Sequence, residues 1–223
     1  MTVSKRAAIA APKPPPAKKQ PTLVVLDLGN YQCTTYDGKE FITIRSLFVE
    51  LKPGQSALKV SAGSPLIGLG KRRFHVGRKA TEYSGYRAVV SSDKTAVAEV
   101  FLAATMPVIE GDEIDLVILH HSHAQVAETL KERLTGVFSF TRNGKVHAVN
   151  ITSVMVMDEA VGAFHLLDNP TGRTMGIDIG AGTYLVRIWG PDGETLAETT
   201  ADKAGVYRLA VDVARDQRLR GPL

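Results

Sequence analysis

The chain has one cysteine in 223 residues, Cys33, so no internal disulfide and no cysteine-based zinc cluster can form. That usage suits a reducing compartment and predicts a cytoplasmic protein. No run of about 18 apolar residues occurs, which predicts no membrane span. The only apolar stretch near the start, "AAIAA", is too short for a signal-peptide core. Acid is missing from residues 1–21, where Lys5, Arg6, Lys13, Lys18 and Lys19 stand among prolines and alanines. The net charge of +4 is therefore a property of this tail, since 22 basic and 23 acidic residues remain elsewhere. A Pro/Ala/Lys-rich tail cannot build a core and reads as disordered, with a weak contact to nucleic acid or another polyanion as its sharper use.

What is present is an ordinary globular balance, 44% hydrophobic and 22% charged. "TLVVLDL" reads as a buried strand. "CTTY", an Asp-Gly turn and "KEFITIRSLFV" read as two further strands. Residues 52–70, rich in Gly and Pro, read as loop, and "RFHVG" as a short strand. "SSDKTAVAEVFLAATMP" reads as a helix with Ser92 at its N-cap and Pro107 as its stop. "EIDLVILH" is a strand, and "AQVAETLKERLTG" a helix with Val126, Leu130 and Leu134 on one side. Asn143-Gly144 between β-rich runs predicts a hairpin, and "DEAVGAFHLL" a short helix. Three strands over 174–200 and a helix from "AGVYRLAVDVARD" complete an α/β pattern.

One motif occurs twice. "VVLDLGNYQ", residues 24–32, returns as "MGIDIGAGTY", residues 175–184. Each is an apolar strand ending in Asp-X-Gly and followed by a long hairpin. Glycine-rich turns expose backbone N–H groups that can cradle phosphate oxygens, and glycine allows close approach. A carboxylate beside such a turn can hold hydrated Mg²⁺. Two facing copies would clamp one polyphosphate from both sides.

The chain resembles the actin-like ATPase superfamily, and within it the plasmid-segregation actin-like proteins with their archaeal and bacterial relatives. "LDLGNYQCTTYDG" is similar to the first phosphate loop and "GIDIGAGTYLVRIWGPDG" to the second. "FHVGRKA" resembles a recurring Val-Gly-X-X-Ala element, and "GVFSFTRNGKVHAVNITSVMVMDEAVGAF" the segment leading into the first connecting helix. The resemblance implies an actin-like (ribonuclease H-like) fold of mixed sheets with helices. After the basic tail over 1–21, it implies a complete first domain over 22–171 and a partial second domain over 172–223. It implies ATP and Mg²⁺ as cofactors, with Asp27 and Asp178 holding the metal through waters. Gly29, Asn30 and Thr34 would face the phosphates from one side, and Gly180, Ala181, Gly182 and Thr183 from the other. Glu159 would orient or activate the attacking water. The implied function is ATP hydrolysis coupled to self-association into filaments, with a DNA-adaptor protein as a further partner. A small-molecule phosphotransferase and a non-catalytic scaffold are the alternatives.

Two departures qualify the resemblance. Thr34 stands where the family often carries a lysine or another phosphate-facing residue. The chain has no Gly-Gly pair to serve as the adenosine motif, and its ending reads as that of a truncated member. Weak ATP binding is the corresponding expectation. "GLGKRR" lacks the glycine and Ser/Thr of a Walker A loop. His120, His121 and His123 have no Cys or paired carboxylate at ligand spacing, so a metal role is not assigned to them.

Overall fold

The chain is described here from a computed structural model, covering residues 20–89, 93–107, 113–120, 123–159, 161–166, 171–202, 205, 206, 208, 211 and 212. The tail over 1–19, Ser92, His121 and most of the expected final helix lie outside the described residues.

β-Branched and leucine-rich runs form the frame. β1 (Thr22–Leu28), β2 (Gln32–Tyr36) and β3 (Phe41–Arg45) make an antiparallel meander. The expected third strand breaks at Ser46. β4 (Leu47–Glu50) leaves the meander and pairs instead with β6 (Arg72–Val76) and β7 (Arg87–Ala88). The stretch 52–70 is not all loop, because Leu66–Leu69 forms β5 beside β6 and β9. β8 (Glu113–Leu119) runs parallel to β1, and β10 (Lys145–Met157) runs parallel to β8. β9 (Gly136–Arg142) and β10 form the expected hairpin, with Asn143 (φ 55°) and Gly144 (φ 82°) in the left-handed conformation that such a two-residue turn requires. The resulting ten-stranded sheet has the order β3-β2-β1-β8-β10-β9-β5-β6-β4-β7.

Two helices cover this sheet. α1 (Lys94–Thr105) is buried on almost every side, which its alanine-rich, all-round apolar sequence allows. Its N-cap is Asp93, not Ser92; the Asp93 carboxylate accepts the Thr95 N–H at 2.9 Å. α2 (His123–Leu134) turns Leu130 and Leu134 into the same core as Phe101, Leu102, Leu26 and Ile118. Alternation on β1 sends Val24, Leu26 and Leu28 into this core and leaves Asp27 on the other set of positions.

The short helix expected after residue 158 is one turn, α3 (Val161–Phe164). β11 (Thr174–Ile179), β12 (Thr183–Trp189) and β13 (Thr195–Asp202) then make a separate antiparallel sheet. Trp189 and Leu185 anchor it against Phe164. No helix among the described residues is long and apolar enough to cross a membrane.

Candidate functional site

Parallel pairing brings three strand ends to one edge. Leu119 on β8 stands opposite both Asp27 on β1 and Met157 on β10. The His120 backbone N–H then donates to the Met157 carbonyl at 2.9 Å, holding the strands together just before Asp158 and Glu159. The carboxyl ends of parallel strands are where open α/β sheets place their ligands.

The first turn leaves β1 here. A Cβ on Gly29 would lie 2.4 Å from the Gln32 carbonyl oxygen, so the turn requires glycine. Ser46, at the break between β3 and β4, braces it from outside. Its hydroxyl donates to the Gly29 carbonyl at 2.5 Å, and its N–H donates to the Tyr31 carbonyl at 3.0 Å. The second turn leaves β11 in the same way. The Gly180 N–H donates to the Thr183 carbonyl at 2.9 Å, and the Val206 N–H donates to the Gly180 carbonyl at 3.0 Å. Ala181 and Gly182 form the tip between them. The two turns touch: the Asn30 side-chain amide donates to the Thr183 hydroxyl at 3.0 Å across 153 residues of sequence.

Charge gathers beside these turns. The Asp27 carboxyl is pushed up to about 6, first by burial and then by Glu159, with Lys94 opposing and Asp178 adding to the rise. Asp178 is also raised, by burial and by Glu159, again against Lys94. Glu159 accepts an ion-paired hydrogen bond from Lys94 Nζ at 3.2 Å. Asp27, Asp178 and Glu159 thus share one electrostatic environment with Lys94. Carboxylates gathered in this way favour a cation between them. No group of three His, Cys, Asp or Glu side chains is placed to ligate a metal directly among the described residues.

The structure thus brings together Asp27, Gly29, Asn30, Glu159, Asp178, Gly180, Ala181, Gly182 and Thr183. Thr34 lies one strand over. It stands opposite Asp27 in register within the hairpin, on the same face of the sheet, and its hydroxyl pairs with that of Thr43 at 3.1 Å.

Two further cations belong to this region and were not singled out from the sequence. Lys94 occupies the first helical position of α1, where the helix dipole disfavours a positive charge; that mismatch is a readable signal. Arg187 falls on the inward alternation of β12 with Leu185 and Trp189, and is buried. It donates to Asp158 and to Glu198, tying the three-stranded sheet to the residue before Glu159. A charge in the middle of "YLVRIW" is the corresponding signal.

The family model for the N-terminal domain of actin-like proteins matches residues 26–162. No curated protein matches the chain by sequence. Among solved structures, the archaeal actin homologue Ta0583 superposes with a TM-score of 0.68 at 20% identity, over 90% of this chain and 69% of that one. The AlfA filament bound to AMPPNP gives 0.64 at 16% identity, over 87% and 76%. The apo pSK41 ParM protein gives 0.62 at 13% identity, over 90% and 73%.

Proposed function

Because the chain belongs to the actin-like protein family, through the N-terminal domain that makes up most of its length, we propose that it binds a magnesium nucleotide between its two glycine turns and couples hydrolysis to filament assembly. The observation that carries this reading is the Asn30–Thr183 bridge, which seats both turns beside Asp27, Glu159 and Asp178. The ADP complex of the archaeal homologue and the AMPPNP-bound AlfA filament support it by fold. AlfA of B. subtilis plasmid pLS32 forms filaments, so a role in DNA segregation with a DNA-adaptor partner is the corresponding cellular reading. In this reading residues 22–171 form the first domain, and residues 172–223 begin the second.

Each residue has a distinct task. Gly29 and Asn30 present one wall to the phosphates, and Gly180 through Thr183 present the other. Asp27 and Asp178 would hold Mg²⁺ through waters. Bound there, the ion would neutralise phosphate charge that the carboxylates alone would repel. Glu159 would accept the proton of the attacking water as the new P–O bond forms and the bridging bond to the leaving nucleoside diphosphate breaks, and would then return that proton to the phosphate product or to solvent.

The test is Mg-ATP titration of the 223-residue chain by calorimetry, with turnover and pelleting measured in parallel. Glu159→Gln is expected to keep nucleotide binding and to lose roughly 10²–10⁴-fold in hydrolysis. Nucleotide-dependent pelleting supports the filament reading. Acceptor-dependent ATP consumption without pelleting would replace it with a phosphotransferase, and neither activity would leave a scaffold.

A further inference from the structure

Residues 52–65 lack regular strands and helices and are strapped to β6 and the turn after it by side chains. Arg73 on β6 donates to the Gln55 carbonyl at 3.4 Å. Lys79, in the 3-10 turn Arg78–Glu82, donates from Nζ to the Lys59 carbonyl at 2.7 Å and from its backbone N–H to the Ser64 hydroxyl at 3.1 Å. Two further fasteners are buried: His75 on β6 is 0% exposed and Tyr83, just past the turn, 9%. The Leu58 N–H donates to the Tyr83 hydroxyl oxygen at 2.7 Å. That oxygen lies 2.9 Å from His75 Nδ1, and His75 Nε2 lies 3.3 Å from the Ser64 carbonyl. The partners fix the protons. A carbonyl only accepts, so Nε2 carries the ring hydrogen and donates it to Ser64. In the neutral ring Nδ1 is then the acceptor of the Tyr83 O–H, which leaves the Tyr83 oxygen to accept from Leu58.

We propose that His75 and Tyr83 form an acid-released latch, which holds the 52–65 strap closed while the ring is neutral and lets Leu58 go when Nδ1 takes a proton. The step is one proton moving from solvent onto Nδ1, with no other covalent bond changed. Nδ1–H and the Tyr83 O–H then point at each other, so the tyrosine hydrogen must turn away from its acceptor. An unsatisfied buried hydroxyl and a buried cation both favour opening. Nothing nearby offers a replacement: β4 and β5 set Val49 and Leu66 opposite His75, and the charged groups acting on it are Lys79 and Glu82 of the turn. Burial holds the imidazole below its ordinary value; the Ser64 carbonyl opposes this, Lys79 adds to it and Glu82 opposes it. The closed strap is therefore fully favoured above about pH 6.5, the ordinary imidazole value, and weakens as pH falls below it. Opening would bare the small cluster of Val49, Leu51 and Ala80, on which Ala57 of the strap packs. The latch shares no residue with the two glycine turns and does not depend on nucleotide.

The experiment follows the Leu58 amide of the full chain by hydrogen exchange, each rate normalised to that of an unstructured amide at the same pH. In wild type, Leu58 protection is expected to fall severalfold between about pH 7.5 and about pH 5. The fall is bounded at about thirtyfold, the ratio of protonated to neutral imidazole at the lower pH in an opened strap. Amides of β8 should not follow it. His75→Gln offers an acceptor to Tyr83 and a donor to Ser64 but does not titrate, so its Leu58 protection should match at the two pH values. Tyr83→Phe should lose about fivefold in protection at the higher pH, as expected for one hydrogen bond, with little further loss at the lower. Undiminished wild-type protection at the lower pH, or full protection in Tyr83→Phe, overturns the proposal. An equal fall in folded His75→Gln also overturns it, by tracing the effect to another group such as Asp27. Should His75→Gln fail to fold, nitrogen NMR of the wild-type imidazole decides. An Nδ1–H tautomer at the higher pH, or a ring titration that does not coincide with the loss of Leu58 protection, then overturns the latch.

Discussion

The two Asp-X-Gly hairpins are close in sequence and unlike in support. β1 lies inside a ten-stranded sheet with β2 on one side and β8 on the other, and its Leu26 and Leu28 are 0–1% exposed. Among the described residues β11 pairs with β12 alone, and its Ile177 and Ile179 are 56% and 63% exposed. The first hairpin is held by the core beneath it. The second is held by particular contacts: Arg187 to Asp158, Trp189 to Phe164, and Thr183 to Asn30. Motif and stability are therefore separate properties. The same turn can be a fixed wall when its strand is central and an adjustable wall when its strand is at an edge.

The contrast can be broken most severely at Arg187. Arg187→Met removes the guanidinium shared by Asp158 and Glu198, and loss of one partner from a buried pair costs about 3–5 kcal/mol. Hydrogen exchange should then show amides of β11–β13 losing protection while those of β1, β8 and β10 keep theirs. Equal loss in both sheets would mean that they unfold as one unit.

Acid titration sharpens the contrast next. A carboxyl raised to about 6 in the folded chain holds its proton more tightly there than in the unfolded chain. Stability contributed by Asp27 is therefore greatest near pH 4, falls as pH rises to about 6 and is constant above that. Asp27→Asn should stabilise the ligand-free chain above pH 6 by at most about 3 kcal/mol, with no gain near pH 4. Asp178→Asn should give a smaller gain, since Asp178 is more exposed. Denaturant midpoints across pH measure both, and equal gains would erase the difference between the hairpins.

The smallest expected effect is at the contact between the turns. Asn30→Ala removes one partly buried neutral hydrogen bond, worth about 1 kcal/mol. A double-mutant cycle with Thr183→Val should recover most of that as coupling. Zero coupling would mean that the two turns are positioned independently.

Local signals made much of this legible. β1 and β8 are largely apolar runs whose alternate residues fill one core, a pattern readable from their β-branched and leucine content. Asn143-Gly144 specified its own turn, and the spacing of Leu130 and Leu134 specified the buried side of α2. What stayed hidden depends on distant partners. Ser46 breaks a β-rich run because its hydroxyl and N–H are claimed by the first glycine turn. Leu66–Leu69 is a strand, despite Gly68, because β6 and β9 flank it. Asp93 takes the cap over Ser92 because its carboxylate reaches Thr95. At the site, both glycine turns and Glu159 could be named from motif and resemblance. Lys94 and Arg187 could not, since each acquires its meaning from carboxylates that pair with it only after folding.

The parallel pairing of β1 with β8 also sets a timetable. Thr22 lies beside Ile114, so the first strand emerges from the ribosome long before its neighbour exists. The β1–β3 meander can close early, but one side of β1 then waits with its backbone groups open to competing strands. The clamp comes later still, because Asn30 must wait for Thr183. Synthesis thus completes the ten-stranded sheet before the contact between the two turns can form. A nascent chain is exposed to mispairing during that interval, and yield should respond to translation speed through residues 29–113 more than elsewhere.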